Sequence, residues 1–312
     1  MSSALRTILN GLALILGVTF VSFLLMVWFG PDQTYTLIGK NATAQQIADV
    51  RHELGYDQPF LTRYAGFLAD LATLDLGTSN ASGERVSRML ARTVPVTLAL
   101  MLPGFLLGNL LGIALGLAAA RRRGQWSDRL ISGLSVSGMS ISFLIIIIAL
   151  QVLLSTPYGL NLFPVRGWQV SDLPSYLHYV TVPTAALVLV TLGYNTRFYR
   201  AVFVEEYGRD HIRTARAFGA SPAVIMWRHV LKNSLVPIIT RFLFSIPLVV
   251  ISGSLLIESY FGIPGVGKVT FEAITSGDQP VLKAVVALTA VAFVLIQLVA
   301  DMLYRVVDPR VA

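Results

Sequence analysis

The chain has 312 residues, 54% hydrophobic and only 13% charged, with a mean hydropathy of +0.68 and a formal charge of +7. A water-facing domain carries about 25% charged residues, so half that load excludes an ordinary soluble protein and makes lipid the solvent for much of the chain. No cysteine occurs, which excludes disulfides and thiolate metal sites, and whether +7 means nucleic acid depends on where the basic residues fall.

A spanning helix needs roughly 20 apolar residues to cross a core of about 30 Å. Six stretches qualify: Ile8–Phe29, Val94–Ala120, Leu130–Leu154, Tyr179–Tyr199, Val236–Ile257 and Leu282–Tyr304. The first follows Arg6 and could open a secretory signal. It is longer than a usual signal core and reaches Phe29-Gly30-Pro31 without a small-residue cleavage site, so an uncleaved helix is expected.

The segment from Pro31 to Arg92 reads as helical. Ile47, Val50 and Leu54 line one face of Ala44–Leu54, Thr43 is placed to cap it, Gly55 to end it and Pro59 to start another helix. Tyr64–Leu74 again shows one apolar face. Two readings stay open, a small cap on the membrane face or a docking surface for a soluble partner. The expected division is 1–92, a first spanning helix with its outer segment, and 93–312, a five-helix core with a cytoplasmic loop at about 200–235.

Inside the second span Gly104, Gly108, Gly112 and Gly116 recur every four residues, a face that lets another helix approach closely. The third opens with hydroxyls, among them Ser135, Ser137, Ser140 and Ser142, which either pack helices or line a wet pathway. Pro183, Pro237 and Pro247 are expected to kink or start helices. Ionisable residues are scarce: Arg241 and Asp301 lie near cytoplasmic ends, Glu258 and Lys283 near outer ends, and Asp301 is spaced to pair with Arg305. No carboxylate or histidine chain suits a proton relay, so the energy for any transport comes from elsewhere.

Basic residues set the direction. Arg6, then Arg121, Arg122, Arg123 and Arg129, then Arg197 to Lys232, and finally Arg305 and Arg310 all fall on one side when six spans alternate. The opposite short loops hold Arg166 and Lys268. By the positive-inside rule both termini are cytoplasmic, and the charge needs no nucleic acid.

Two motifs resemble catalytic ones and fail. Gly262-Ile-Pro-Gly-Val-Gly267-Lys268 fits a phosphate-binding loop until Val269, where the Mg²⁺-binding hydroxyl belongs, and it falls on the outer side. His52-Glu53 is followed by Tyr56 where a zinc motif needs its second histidine. A membrane enzyme therefore has little to build a site from, and no metal or cofactor is expected on this chain.

The long loop between spans four and five carries the positive case. Asp210 is placed to cap a helix over Ile212–Phe218, with Gly219 ending it. Ser221 is placed to cap a second helix with Pro222 in its first turn and Val224, Trp227 and Val230/Leu231 on one face. Such a loop is either an interfacial helix held by headgroups or a lever gripped by a cytoplasmic motor.

Here the residues Arg213-Thr214-Ala215-Arg216-Ala217-Phe218-Gly219, followed by Leu235-Val236-Pro237, resemble the E-A-A-x-x-x-G signature and its Leu-Pro in permease subunits of binding-protein-dependent ABC importers, within the dipeptide/oligopeptide/nickel group. Leu54–Pro59 with Leu74–Ser79, Glu258–Lys268, and Asp301-x-x-Tyr304 with Asp308-Pro309-Arg310 resemble further stretches of that group. Arginine replaces the leading glutamate and threonine the first alanine, Phe218 stands where a polar residue is common, and Gly30-Pro31-Asp32 stands where Pro-Gly-Asp is common.

The resemblance implies an all-α type I importer permease in the bacterial inner membrane. It also implies three kinds of partner besides the lipid bilayer: a second, homologous permease, two cytoplasmic ATPase subunits docked on the loop, and an extracytoplasmic solute-binding protein. The coupling residues it implies are Arg213, Thr214, Ala215, Arg216, Gly219 and Pro237, and the substrate is a di- or oligopeptide, with nickel chelate, glutathione or oligosaccharide as alternatives. A passive channel is the other class weighed; it would need a selectivity ring or filter segment, which the sequence does not show.

Overall fold

The computed structural model describes residues 3–29, 34, 38–39 and 43–307. The expected features at Gly30-Pro31-Asp32 and Asp308-Pro309-Arg310 lie outside the described residues. In chain order the helices are α1 (Ser3–Phe29), α2 (Ala44–Glu53), α3 (Phe60–Ala72), α4 (Val86–Arg121), α5 (Trp126–Ser140), α6 (Phe143–Ser155), α7 (Leu173–Tyr207), α8 (Asp210–Ala217), α9 (Pro222–Val224), α10 (Leu235–Pro247), α11 (Ser254–Phe261), α12 (Val266–Ser276) and α13 (Gln279–Val307). Wider π-helical turns occupy Ile225–Leu231 and Leu248–Gly253.

Five helical stretches are long and apolar enough to cross a membrane: α1, α4, α7, the run Leu235–Phe261, and α13. The expected third span, Leu130–Leu154, is not one straight helix. It is α5 and α6, bent by 97° at their junction, and counting the pair as one crossing gives six. Ile141 and Ser142 leave the helical region for extended backbone, and Ser140 Oγ donates to the Val136 carbonyl. Hydroxyls that bond the preceding turn compete with the backbone ladder and bend helices, so the serine-rich run that ends at Ser142 supplies the break.

The chain forms two compact units, each described by itself. The first comprises 1–97 and 264–298. Thr43 caps α2 as expected: its Oγ1 accepts from Gln46 N, and Gln46 Oε1 accepts from Thr43 N at 3.0 Å. Gly55, with φ +65°, ends that helix region, and α3 starts directly after Pro59. The apolar face of α3 packs on α1. Phe60, Tyr64 and Phe67 pack against Phe20, Phe23 and Trp28 of α1, and Tyr64 OH donates to the Leu16 carbonyl at 2.9 Å. Val86, Met89 and Leu90 close a second core with residues of α12 and α13. Asp278 pins the preceding loop by accepting from Ser79 Oγ at 2.5 Å and from the amides of Asn80 and Ala81.

The second unit comprises 98–263 and 299–312 and is organised on α7. The four glycines of α4 all face it. A Cβ on Gly104 would lie 2.9 Å from Leu187 Cδ2, on Gly112 2.6 Å from Asn195 Cβ, and on Gly116 2.9 Å from the Arg200 backbone nitrogen, while at Gly108 it would meet Thr191 Oγ1. The matched positions rise together along both helices, so α4 and α7 run parallel, and the bent pair between them must return the chain to the starting side. Tyr199 OH donates to Asn109 Oδ1 at 2.7 Å across this seam. At the other end Arg166 Nε donates to the Tyr260 carbonyl at 3.0 Å and Gly167 N to that of Phe261 at 2.7 Å.

Candidate coupling site

The loop between α7 and α10 is built on a shared core. Ile212 from α8 and Ile225, Met226 and Val230 from the following turns are buried against Leu117 and Ala120 of α4, Tyr199 and Phe203 of α7 and Ile238 of α10. Helix α8 begins one residue earlier than a capping Asp210 requires. Arg209 occupies the cap position without a side-chain capping bond, and Asp210 lies in the first turn, where its charge favours the helix dipole.

Gly219 closes α8 with φ +80°. Its amide donates to the Arg216 carbonyl at 3.0 Å and that of Ala220 to Ala215 at 3.1 Å, the paired bonds of a left-handed helix stop that glycine adopts without strain. Ser221 then caps α9, its Oγ accepting from Val224 N at 3.4 Å, with Pro222 in the first turn. The face expected after it is corrected: Val224 is exposed, Trp227 is 66% exposed, and Ile225, Met226 and Val230 turn inward. An α-helical period puts Trp227 with Val230, but the π-helical turns at Ile225–Leu231 change the angular step and rotate it outward.

Polar contacts fix the root of the loop. Buried Glu206 at the end of α7 lies 3.0 Å from Arg209 and 3.2 Å from His211, and His211 Nε2 is 3.1 Å from Asn233 Nδ2. Asp128 at the start of α5 holds Arg200 of α7 through both oxygens and accepts from Gly124 N at 2.9 Å. Sequence reasoning missed all of these contacts. Asp128 did carry a signal, as the one acid between Arg121–Arg123 and Arg129.

The outer face of α8 is left bare. Arg213, Thr214, Arg216, Ala217 and Gly219 are exposed, Ala215 is half-buried, and Phe218 is 87% exposed. Arg213 reaches Asp210 at 3.3 Å on its own helix, and the Arg216 guanidinium lies 5.1 Å over the Tyr207 ring. Pro237 is half-buried in the first turn of α10, where its missing N–H removes no ladder bond. The result is a short basic helix with one large exposed apolar side chain, rooted rigidly in the bundle.

The serines of the third span differ in exposure. Ser135 is buried with Oγ donating to the Ile131 carbonyl at 2.8 Å, and Ser137, Ser140 and Ser142 are exposed. In the Gly/Pro loop, Gly262 ends α11 in the left-handed conformation. The first α12 amide, Val266 N, donates to Thr97 Oγ1 at 2.8 Å. His52 Nδ1 is paired with Asp57 Oδ2 at 2.6 Å, and among the described residues no group of three metal-ligating side chains converges.

This fold, five long apolar helices and a bent pair with a well-packed loop on the basic side, is that of a polytopic transport subunit of the type I importer permease class. Residues 112–312 match the family described as the inner membrane component of binding-protein-dependent transport systems, and 1–101 match the N-terminal region of the same membrane components. A Brucella abortus protein named as a peptide transport system permease is 33% identical over 98% of both chains. The glutathione transport system permease GsiC of Salmonella typhimurium is 32% identical over 98% of this chain and 97% of its own. Among solved structures, a chain of the MetNI methionine ABC transporter in an inward-facing conformation has a TM-score of 0.56 at 21% identity, covering 71% of this chain and 97% of its own. The chain belongs to the binding-protein-dependent transport permease family, and it is a membrane-embedded component of a multi-subunit ABC importer.

Proposed function

We propose that this chain is the permease subunit of a peptide importer of the bacterial inner membrane, with both termini in the cytoplasm. It pairs with a second, homologous permease, receives solute from an extracytoplasmic binding protein, and is driven by two cytoplasmic ATPase subunits. No cofactor is assigned to this chain. The relatives named for peptide and glutathione transport support a peptide-type solute.

One observation carries the reading: α8 is bare on its outer face and clamped at its root. Arg213, Arg216 and Phe218 are exposed, while Ile212 and Glu206 tie the helix to α4, α7 and α10. A push on α8 therefore cannot be absorbed by the loop and must tilt the bundle, a rigid-body route between inward-open and outward-open states. The small residues Thr214 and Ala217 let the helix enter a protein groove, and the arginines meet acidic groups there.

The chain has no cysteine, so Ala217→Cys introduces a single reactive site. It should cross-link to the ATPase subunits in the assembled complex, and R213E with F218S should lower ATP-driven peptide uptake at least about tenfold, 1.4 kcal/mol of coupling. Absence of any cross-link together with unchanged uptake would refute the assignment.

A further inference from the structure

Arg241 is a charged side chain that neither the fold nor the coupling loop uses. It lies in α10, within the apolar run Leu235–Phe261, with its guanidinium 5.5 Å over the Phe198 ring. Among the described residues no carboxylate lies within ion-pair distance of it, and its Nε is buried without a hydrogen-bond partner. Arginine cannot shed its proton to relieve this, so a charge held in an apolar span marks a site for a counter-charge.

Arg241 lines a groove of about 540 Å³ whose walls include Phe198, Pro237, Phe244 and Leu248, a size typical of small-molecule clefts of about 300–1,000 Å³. The two hydroxyls on the lining are occupied. Thr240 Oγ1 donates to the Val236 carbonyl at 2.8 Å and shares a bond with Tyr304 OH at 2.7 Å. Ser245 Oγ donates to the Phe242 carbonyl at 2.9 Å. Among the described residues the guanidinium is the one charged donor on this lining, and its planar fork matches a carboxylate or phosphate.

We infer that the groove around Arg241 binds the carboxylate end of a solute in transit, with its apolar walls taking the side chain next to that carboxylate. Position favours a solute over a lipid. Arg241 stands six residues into α10, about 9 Å along the axis at 1.5 Å per residue, so a phosphate headgroup would have to sink well past the helix start. Arg228 and Lys232, exposed ahead of that start, are nearer the basic side of the chain. The inference rests on the importer reading, and names what that importer recognises.

The test uses the whole transporter, with its partner permease, ATPases and binding protein, in proteoliposomes. The probes are a radiolabelled tripeptide ending in phenylalanine and its C-terminal amide. Wild type should favour the free carboxylate, and R241Q should cut the carboxylate-to-amide uptake ratio at least tenfold. R241K should fall between, because it keeps the charge and loses the fork. A wild type that carries both probes equally overturns the inference without any variant, as does an unchanged ratio in R241Q. A phospholipid retained by wild type and lost from R241Q, with the ratio unchanged, assigns the groove to a headgroup and overturns it too. A wild type that imports neither probe overturns the peptide reading and the inference with it, a result distinct from an active wild type with an unaltered variant.

Discussion

Arg200 of α7 grips Asp128 at the start of α5 with both arms, Nε to Oδ1 at 2.5 Å and Nη2 to Oδ2 at 2.7 Å, across 72 positions of sequence. The carboxylate side chain is 5% exposed and the guanidinium 29%. Removing one member of a buried pair leaves the other uncompensated, at about 3–5 kcal/mol, and the part-exposed arginine places this pair near the lower end. D128N and R200Q should each lower the thermal stability of the purified complex, and the double variant should lose less than the sum. Additivity within about 0.5 kcal/mol would show that the pair is not coupled.

The glycine face of α4 gives a graded prediction. At Gly112 and Gly116 a new Cβ meets Asn195 Cβ at 2.6 Å and the Arg200 backbone nitrogen at 2.9 Å, and neither neighbour is the tip of a flexible side chain. G112A and G116A should each cost about 1–3 kcal/mol by overpacking. A Cβ added to Gly133, on α5, would meet nothing within 4 Å, so G133A should be neutral or stabilise by up to about 1 kcal/mol. Equal effects at all three sites in thermal unfolding would mean that α4 does not approach α7 this closely.

At Gly219 the constraint is the backbone alone. Its φ is +80°, and a Cβ there would touch nothing within 4 Å. An L residue pays roughly 1–2 kcal/mol for left-handed geometry, asparagine the least and β-branched residues the most. ATP-driven uptake should therefore rank wild type, G219N, G219A, G219V, with ATP hydrolysis less affected than transport because the helix stop, not the motor, is altered. An inverted or flat ranking would remove the helix stop from the coupling path.

What sequence revealed and what it hid divide along physical lines. The spans were legible because runs of twenty apolar residues have few other uses, and the end of α8 and the start of α9 were legible because Gly219 and Ser221-Pro222 are local devices. The 97° bend was not, because no proline marks it and the serines and glycines from Ser132 to Ser142 single out no one position. The outward turn of Trp227 was hidden by π-helical turns, which no hydrophobic period announces. Arg200–Asp128 and the Tyr64–Leu16 bond join residues 72 and 48 positions apart, pairings that no spacing along a single chain shows. Arg241 was visible as a charge in a span, but that no carboxylate among the described residues reaches it is a fact of three dimensions.

The outer segment carries a pair whose response to pH can be worked out in sign. His52 Nδ1 and Asp57 Oδ2 are 2.6 Å apart and both side chains are exposed. The hydrogen bond to Asp57, with that carboxylate's charge behind it, raises the His52 pKa above its ordinary 6.5. The bond from His52 lowers Asp57 below its ordinary 3.8. The raised histidine contributes stability that is full below its unfolded value and disappears as pH climbs through the folded one. The lowered aspartate contributes stability that is full above its unfolded value and disappears as pH falls through the folded one. The pair therefore holds the turn between α2 and α3 only from the lowered Asp57 midpoint to the raised His52 midpoint, and solvent keeps the effect small. With four histidines in the chain, the His52 ring resonance can be followed by NMR in nanodiscs. Its midpoint should lie above 6.5 and fall toward that value in D57N, while H52A should bring Asp57 back toward 3.8. A His52 midpoint that D57N leaves in place would show that the two side chains do not meet in solution.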